Sequence, residues 1–139
     1  MIEIRKVTIT DLDQLQKIAR MTFSESFASY NTEDNMRKYL DEEFSTAKLK
    51  TELNDRNVEY YFATEDNNVI GYLKINLGEA QTELQEDNAV EIERIYVLRE
   101  FFGKKVGQIL YDKAVEIARQ KKADYIWLGV WEKNARAIN

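Results

Sequence analysis

The chain has 139 residues, 44% of them hydrophobic and 12% aromatic, with 20 Lys+Arg against 25 Asp+Glu for a net charge of −5. It contains no cysteine, no histidine and no proline. Those absences exclude a disulfide framework, thiolate nucleophiles, Cys- or His-ligated metals and Ser-His-Asp catalysis, so no metal is expected and acid–base chemistry falls to Glu, Asp, Lys, Tyr, backbone or water.

The length predicts one domain over 1–139. The acidic balance argues against a nucleic-acid partner. No apolar run approaches the roughly 18 residues of a membrane helix, and the start "MIEIRKVTIT" has no signal-peptide core. No membrane partner and a cytoplasmic location are therefore expected.

Taken in chain order, "IEIRKV" (2–7) alternates apolar and charged residues as a half-buried strand does. Thr10 with Asp13 has the spacing of a capping box. Leu12, Leu15, Ala19, Phe23 and Phe27 then recur at helical spacing, which predicts a helix from Thr10 to Ala28. Asn31 is a candidate N-cap for a second helix with Met36, Tyr39 and Leu40 inward. "STAKLKTELND" reads as a third, short helix after Ser45. Two strands, 58–65 and 69–76, flank the turn residues Asp66, Asn67 and Asn68 and predict a hairpin. Residues 78–88 are polar and read as a loop. A long strand follows over 89–98. An amphipathic helix then carries Val106, Ile109, Leu110, Ala114, Ile117 and Ala118 on one face. A strand over 124–131 is next, and "NARAIN" opens a last helix at Asn134. This order predicts a mixed α/β sheet with helices on both faces, and a right-handed parallel crossover over 89–131.

The stretch between the strand and the amphipathic helix is the first chemical signal. Helix N-termini present unpaired N–H groups and partial positive charge, which suits a phosphate. Gly103 and Gly107 let the backbone come close, and Arg99, Lys104 and Lys105 add charge. A solvated cap would read the same way. The spacing is neither a Walker A loop nor GxGxxG. Upstream, Glu91 and Glu93 share one face of a strand because strand side chains alternate. Solvated carboxylates, or partners for Arg94 or a lysine, would again read the same. Glu25, Glu33, Asp34, Asp41, Glu42 and Glu43 make the first helices acidic, and Phe23, Phe27 and Tyr30 are candidates to line a pocket there or to fill the core.

The residues "RIYVLREFFGKKVGQILYDKA", followed by a strand and "NARAI", resemble the acetyl-CoA-binding core of the GNAT N-acetyltransferase superfamily. Within it, "ERIYVL" and "IWLGVWEKNARAI" are similar to PaiA-type polyamine N-acetyltransferases. The resemblance implies an α/β (α+β) GNAT fold, a mixed central β-sheet flanked by helices. It implies acetyl-CoA as donor and a small amine, spermidine or spermine foremost, as acceptor, by direct attack in a ternary complex. The family's pyrophosphate signature Q/R-x-x-G-x-G/A falls here on Phe102, Lys105 and Gly107, so only the last position is kept. Backbone N–H groups of Gly103, Lys104, Lys105, Val106, Gly107 and Gln108 would hold the pyrophosphate. Lys105 must then take a conformation easier for glycine. Backbone at Ile95, Tyr96 and Val97 would pair with the pantetheine arm, a Val97 N–H would meet the oxyanion, and Asn134 would contact the arm near the thioester. Glu91 falls where many family members carry the base, with Glu93 second.

The family's general-acid Tyr falls two residues beyond Asn139, and its last strands follow. The expectation is therefore a domain truncated at its C-terminus, lacking those strands, with a homodimer through the exposed edge left open. A catalytically weak or silent acetyl-CoA-binding regulatory protein is the alternative, and an acidic interaction domain without a small ligand is a third reading.

Overall fold

The computed structural model describes residues 1–83 and 86–128. Strand β1 (Ile2–Lys6) leads through a 3-10 turn into α1 (Leu12–Phe27), α2 (Glu33–Glu43) and α3 (Thr46–Leu53). Then come β2 (Val58–Glu65), β3 (Asn68–Leu77), β4 (Ala89–Val97), α4 (Val106–Gln120) and β5 (Tyr125–Leu128). The five strands form one sheet in the order β1-β2-β3-β4-β5. Pairing is antiparallel from β1 to β4 and parallel between β4 and β5. A mixed sheet flanked by helices, an α+β arrangement, is what the element order predicts. The expected strand residues 129–131 and the helix opening at Asn134 lie outside the described residues.

Strand alternation sorts the core into two layers. Tyr60, Phe62 and Tyr72 face α1, α2 and α3, where Leu15, Ile18, Phe23, Met36 and Leu49 close the layer. Tyr61, Ala63, Leu73, Ile75 and Ile92 face α4 and its Val106, Leu110, Ala114 and Ile117. The β2–β3 hairpin turns on Asp66 and Asn67, both at positive φ (51° and 68°). Two-residue hairpin turns need that geometry, and Asp and Asn tolerate it best after glycine.

Two caps sit elsewhere than the local spacing suggests. The box residues are Thr8 and Asp11, not Thr10 and Asp13: the Thr8 N–H donates to Asp11 Oδ2 at 2.9 Å. Arg5 from β1 holds the same carboxylate at 2.9 Å, a tertiary contact that fixes where the turn begins. Helix α2 is capped by Thr32, whose Oγ1 accepts the Asn35 N–H at 3.1 Å, and not by Asn31. Asn31 is spent closing the preceding helix through the Phe27 carbonyl. Ser45 caps α3 as expected.

The feature that positions the site is a bulge. Lys74 pairs with Arg94 but Ile75 pairs with Ile92, so β4 carries one extra residue, Glu93. A bulge lets two consecutive side chains share a face. Here Glu93 and Arg94 both turn toward the α1–α3 side, while Ile92 and Ile95 both turn toward α4.

Candidate active site

The strand-to-helix loop runs through a 3-10 turn (Arg99–Phe101), Phe102, Gly103 and Lys104 to Lys105, the N-cap of α4. Gly103 has φ 84° and Lys105 has φ 65°, ψ 18°. Left-handed backbone costs a non-glycine residue about 1–2 kcal/mol, so the chain spends energy to shape this turn. A Cβ on Gly103 would meet nothing within 4 Å. The Ile109 N–H already bonds the Lys105 carbonyl. The earlier N–H groups, at Val106, Gly107 and Gln108, are the orphan donors every helix start presents. Lys104 and Lys105 are exposed, and Lys104 Nζ rests 5.2 Å from the centre of the Phe101 ring. Arg99 is engaged elsewhere: its N–H donates to Glu25 Oε1 at 2.8 Å and its guanidinium to the Glu25 carbonyl. Arg99 therefore staples α1 to the loop.

Beside this loop, β4 continues past its described parallel partner. Pairing with β5 ends, among the described residues, at Ile92 with Leu128. Leu98 N–H donates to the Ile70 carbonyl of β3. Successive strand residues aim their N–H groups to opposite sides, so Val97 and Ile95 aim theirs toward the β5 side. An extended ligand arm laid there finds the donors an added strand would use. The Tyr96 side chain points the other way and stacks on Tyr72 at 5.9 Å. Asn134 lies outside the described residues.

Glu91 and Glu93 are brought together. Asn76 on β3 donates its amide to Glu91 Oε1 at 3.0 Å and to Glu93 Oε1 at 2.7 Å. Glu91 is 2% exposed. Thr82 seals it, its N–H on Oε1 at 2.8 Å and its hydroxyl on Oε2 at 2.6 Å. Glu93 keeps 23% of its side-chain surface. Burial pushes its pKa up, but Lys74 at 2.9 Å, Arg94 at 3.5 Å and the Asn76 amide outweigh it and hold the carboxyl below its ordinary value of 4.5. Arg94 lies over the Phe44 ring at 4.5 Å and reaches Glu43 at 3.5 Å. Of the acidic residues on α2, Asp41 pairs with Arg20 and Asp34 with Arg37, while Glu33 and Glu42 are exposed. Phe23 and Phe27 are core residues, 8% and 2% exposed. Among the described residues no group of three or more acidic side chains is placed to hold a metal, and no helix is long and apolar enough to cross a membrane.

Sequence reasoning missed Lys74, Asn76 and Thr82. The first two had a signal: in "VIGYLKIN" they interrupt an otherwise apolar strand at alternate positions, on the face of Tyr72. Thr82 had none. It sits in the segment read as a loop, next to Gln81, which bonds Gly78, Glu86 and Trp127.

A strand with a bulged carboxylate and, beside it, a left-handed turn leading into a helix start frame the site. The Acetyltransferase (GNAT) family model matches residues 12–139, and the chain belongs to that family, as an acetyl-CoA-dependent N-acetyltransferase. An uncharacterised N-acetyltransferase of the pepI 3′ region of Lactobacillus delbrueckii subsp. lactis is 36% identical over 138 residues, 99% of this chain and 80% of that protein. Spermidine N(1)-acetyltransferase of Thermoplasma acidophilum is 29% identical over 124 residues, 86% of this chain and 72% of that protein. The crystal structure of PaiA N-acetyltransferase from Thermoplasma acidophilum in complex with coenzyme A superposes with a TM-score of 0.85 at 26% identity, covering 99% of this chain and 84% of that one.

If the α4 start holds the pyrophosphate, Lys104→Glu and Lys105→Glu each weaken coenzyme A binding several-fold, at about 0.3–1 kcal/mol per charge near a helix terminus. The loss shrinks as salt rises. Calorimetric titration reads it, and unchanged affinity would move the phosphate site elsewhere.

Proposed function

We propose that this chain transfers the acetyl group of acetyl-CoA to a primary amine of a small polycation, with spermidine and spermine the favoured class. The observation that carries the reading is the Glu91–Glu93 pair, bridged by Asn76 and set at the bulge of β4. The spermidine acetyltransferase and PaiA relatives support the acceptor class. The proposal takes 1–139 as a single domain working in the cytoplasm without nucleic acid, membrane or metal, and leaves a homodimer open.

The amine nitrogen attacks the thioester carbonyl, forming the C–N bond. The C–S bond then breaks and coenzyme A leaves as thiolate. Alkylammonium groups have a pKa of about 10.4, so the amine that attacks has first lost one proton to solvent water. Glu93, the more exposed carboxylate, takes the second directly or through water as N–C bonding makes the nitrogen acidic. Glu91 acts behind it, through Asn76. The Val97 N–H, aimed away from β3, meets the developing oxyanion. Backbone N–H groups of Gly103 and of 105–108 hold the pyrophosphate, the Lys104 N–H being taken by the Phe101 carbonyl at 3.3 Å, and Asn134 contacts the arm.

A competition experiment tests the acceptor class. Acetyl-CoA is supplied with equal amounts of spermidine, a simple alkyl monoamine and an aminoglycoside, and products are identified by mass spectrometry. Acetylated spermidine is expected to dominate. Preferential acetylation of either competitor would overturn the polyamine assignment.

A further inference from the structure

We propose that Lys74 is a positioning residue for acetyl transfer, pinning one oxygen of Glu93 so that the other faces the reacting amine. This rests on Glu93 taking the proton, as argued above. Lys74 is 4% exposed, in the middle of β3, between Leu73 and Ile75 that face the other layer. An ammonium is costly to bury unless it is paired. A straight apolar side chain would fill the same space, and replacing buried ion pairs in that way is often neutral for stability. The pairing is specific. Nζ lies 2.9 Å from Glu93 Oε1 and 3.0 Å from Glu52 Oε2 on α3, and 5.7 Å from the centre of the Tyr60 ring. Glu52 is held in turn by the Tyr60 hydroxyl.

The consequence is an asymmetric carboxylate. Glu93 Oε1 takes both strong contacts, Lys74 and the Asn76 amide at 2.7 Å. Among the described residues Oε2 has only Arg94 Nε at 3.5 Å, beyond a good hydrogen bond. Oε2 is therefore the oxygen left to receive a proton. Among the described residues, the charged and titratable groups around Glu93 and its partners are Lys74 and Tyr72 from β3, Tyr60 from β2, Arg94 and Glu91 from β4, Glu52 from α3, and Glu43 and Tyr39 from α2. Two of these are cations, and only Lys74 holds Oε1. Without it, the guanidinium of Arg94 is free to draw the carboxylate into a bidentate pair and occupy the working oxygen.

The test uses the whole chain. Lys74→Met is expected to lower kcat about ten- to hundredfold, the scale of a misplacement near 1 Å, with KM for acetyl-CoA unchanged. The acidic limb of the kcat profile and the Glu93 carboxyl titration, followed by NMR, both move to higher pH because a cation is gone. Lys74→Arg restores most of the rate. Wild-type turnover and an unmoved titration in folded Lys74→Met would overturn the proposal. Should that variant fail to fold, Glu52→Gln loosens the same ammonium and is expected to lower kcat in the same direction, and an unchanged rate there would overturn it equally. Wild-type turnover in Glu93→Gln would instead sink the base assignment. The two failures are told apart because the Glu93 titration in Lys74→Met would still move.

Discussion

Glu93→Gln lowers kcat by about 10²–10⁴-fold, the usual contribution of a positioned general base. Glutamine keeps the shape and can still accept from Lys74 and Asn76, but it takes no proton from the amine. KM for acetyl-CoA changes little, because the loop proposed to hold the pyrophosphate lies beyond the far end of the strand. Glu91→Gln has the smaller effect, since that carboxylate is 2% exposed and reaches the site only through Asn76. A stopped assay across about pH 5 to 8, the range where folds are generally most stable, reads both variants. The same carboxyl links stability to acid. Its folded pKa is depressed, so its contribution is fully present above the unfolded value and fades as pH falls through the lower folded one. Wild-type protein therefore loses more stability on acidification than Glu93→Gln does. Equal acid sensitivity in thermal melts, or an unaltered kcat, would contradict this account of Glu93.

Gly71→Ala places a methyl group closer to its neighbours than alanine would at any other described glycine. A Cβ there would sit 2.7 Å from the Tyr96 carbonyl oxygen and 3.3 Å from the Val97 Cα. Both are backbone atoms of the paired strand, so relief comes only by prising β3 from β4. The cost is about 1–3 kcal/mol, as for other overpacking. Displacing Tyr96 and Val97 also disturbs the N–H groups proposed to pair with the acetyl-CoA arm, so KM for acetyl-CoA is expected to rise along with the loss of stability. Gly107→Ala is the contrast: its nearest contact is Val97 Cγ2 at 4.0 Å, and alanine in a helix gains about 0.5–1 kcal/mol over glycine. Denaturant unfolding of the two variants should separate them in opposite directions. A Gly71→Ala protein as stable as wild type would mean that the strands are not this close.

Much of this arrangement is written in short-range pattern. Alternation in "EYYFAT" divides Tyr60 and Phe62 from Tyr61 and Ala63 across the sheet, because the strand period and the two-layer core agree. Lys105 takes the left-handed turn that its place in a glycine-rich signature demands. The Glu91–Glu93 adjacency also follows from alternation, but the company they keep does not. Strict alternation would send Arg94 to the α4 side. The bulge reverses that, and a bulge is set by the pairing of β3 with β4, which no local period records. Lys74, Asn76 and Thr82 reach the carboxylates across 9 to 19 residues of sequence. For the same reason the caps fell at Thr8 and Thr32: Arg5 and the Phe27 carbonyl, contacts from neighbouring segments, decided between adjacent candidates of equal local merit.

Acetyl transfer to an amine at the bulge of β4 is tested by release of coenzyme A thiol from acetyl-CoA, followed with a thiol-reactive dye. The chain has no cysteine, so the protein itself contributes no signal. Thiol release that appears only when spermidine is added, and that collapses in Glu93→Gln, is the predicted result. Coenzyme A that binds but is never released as free thiol with any primary amine would contradict it.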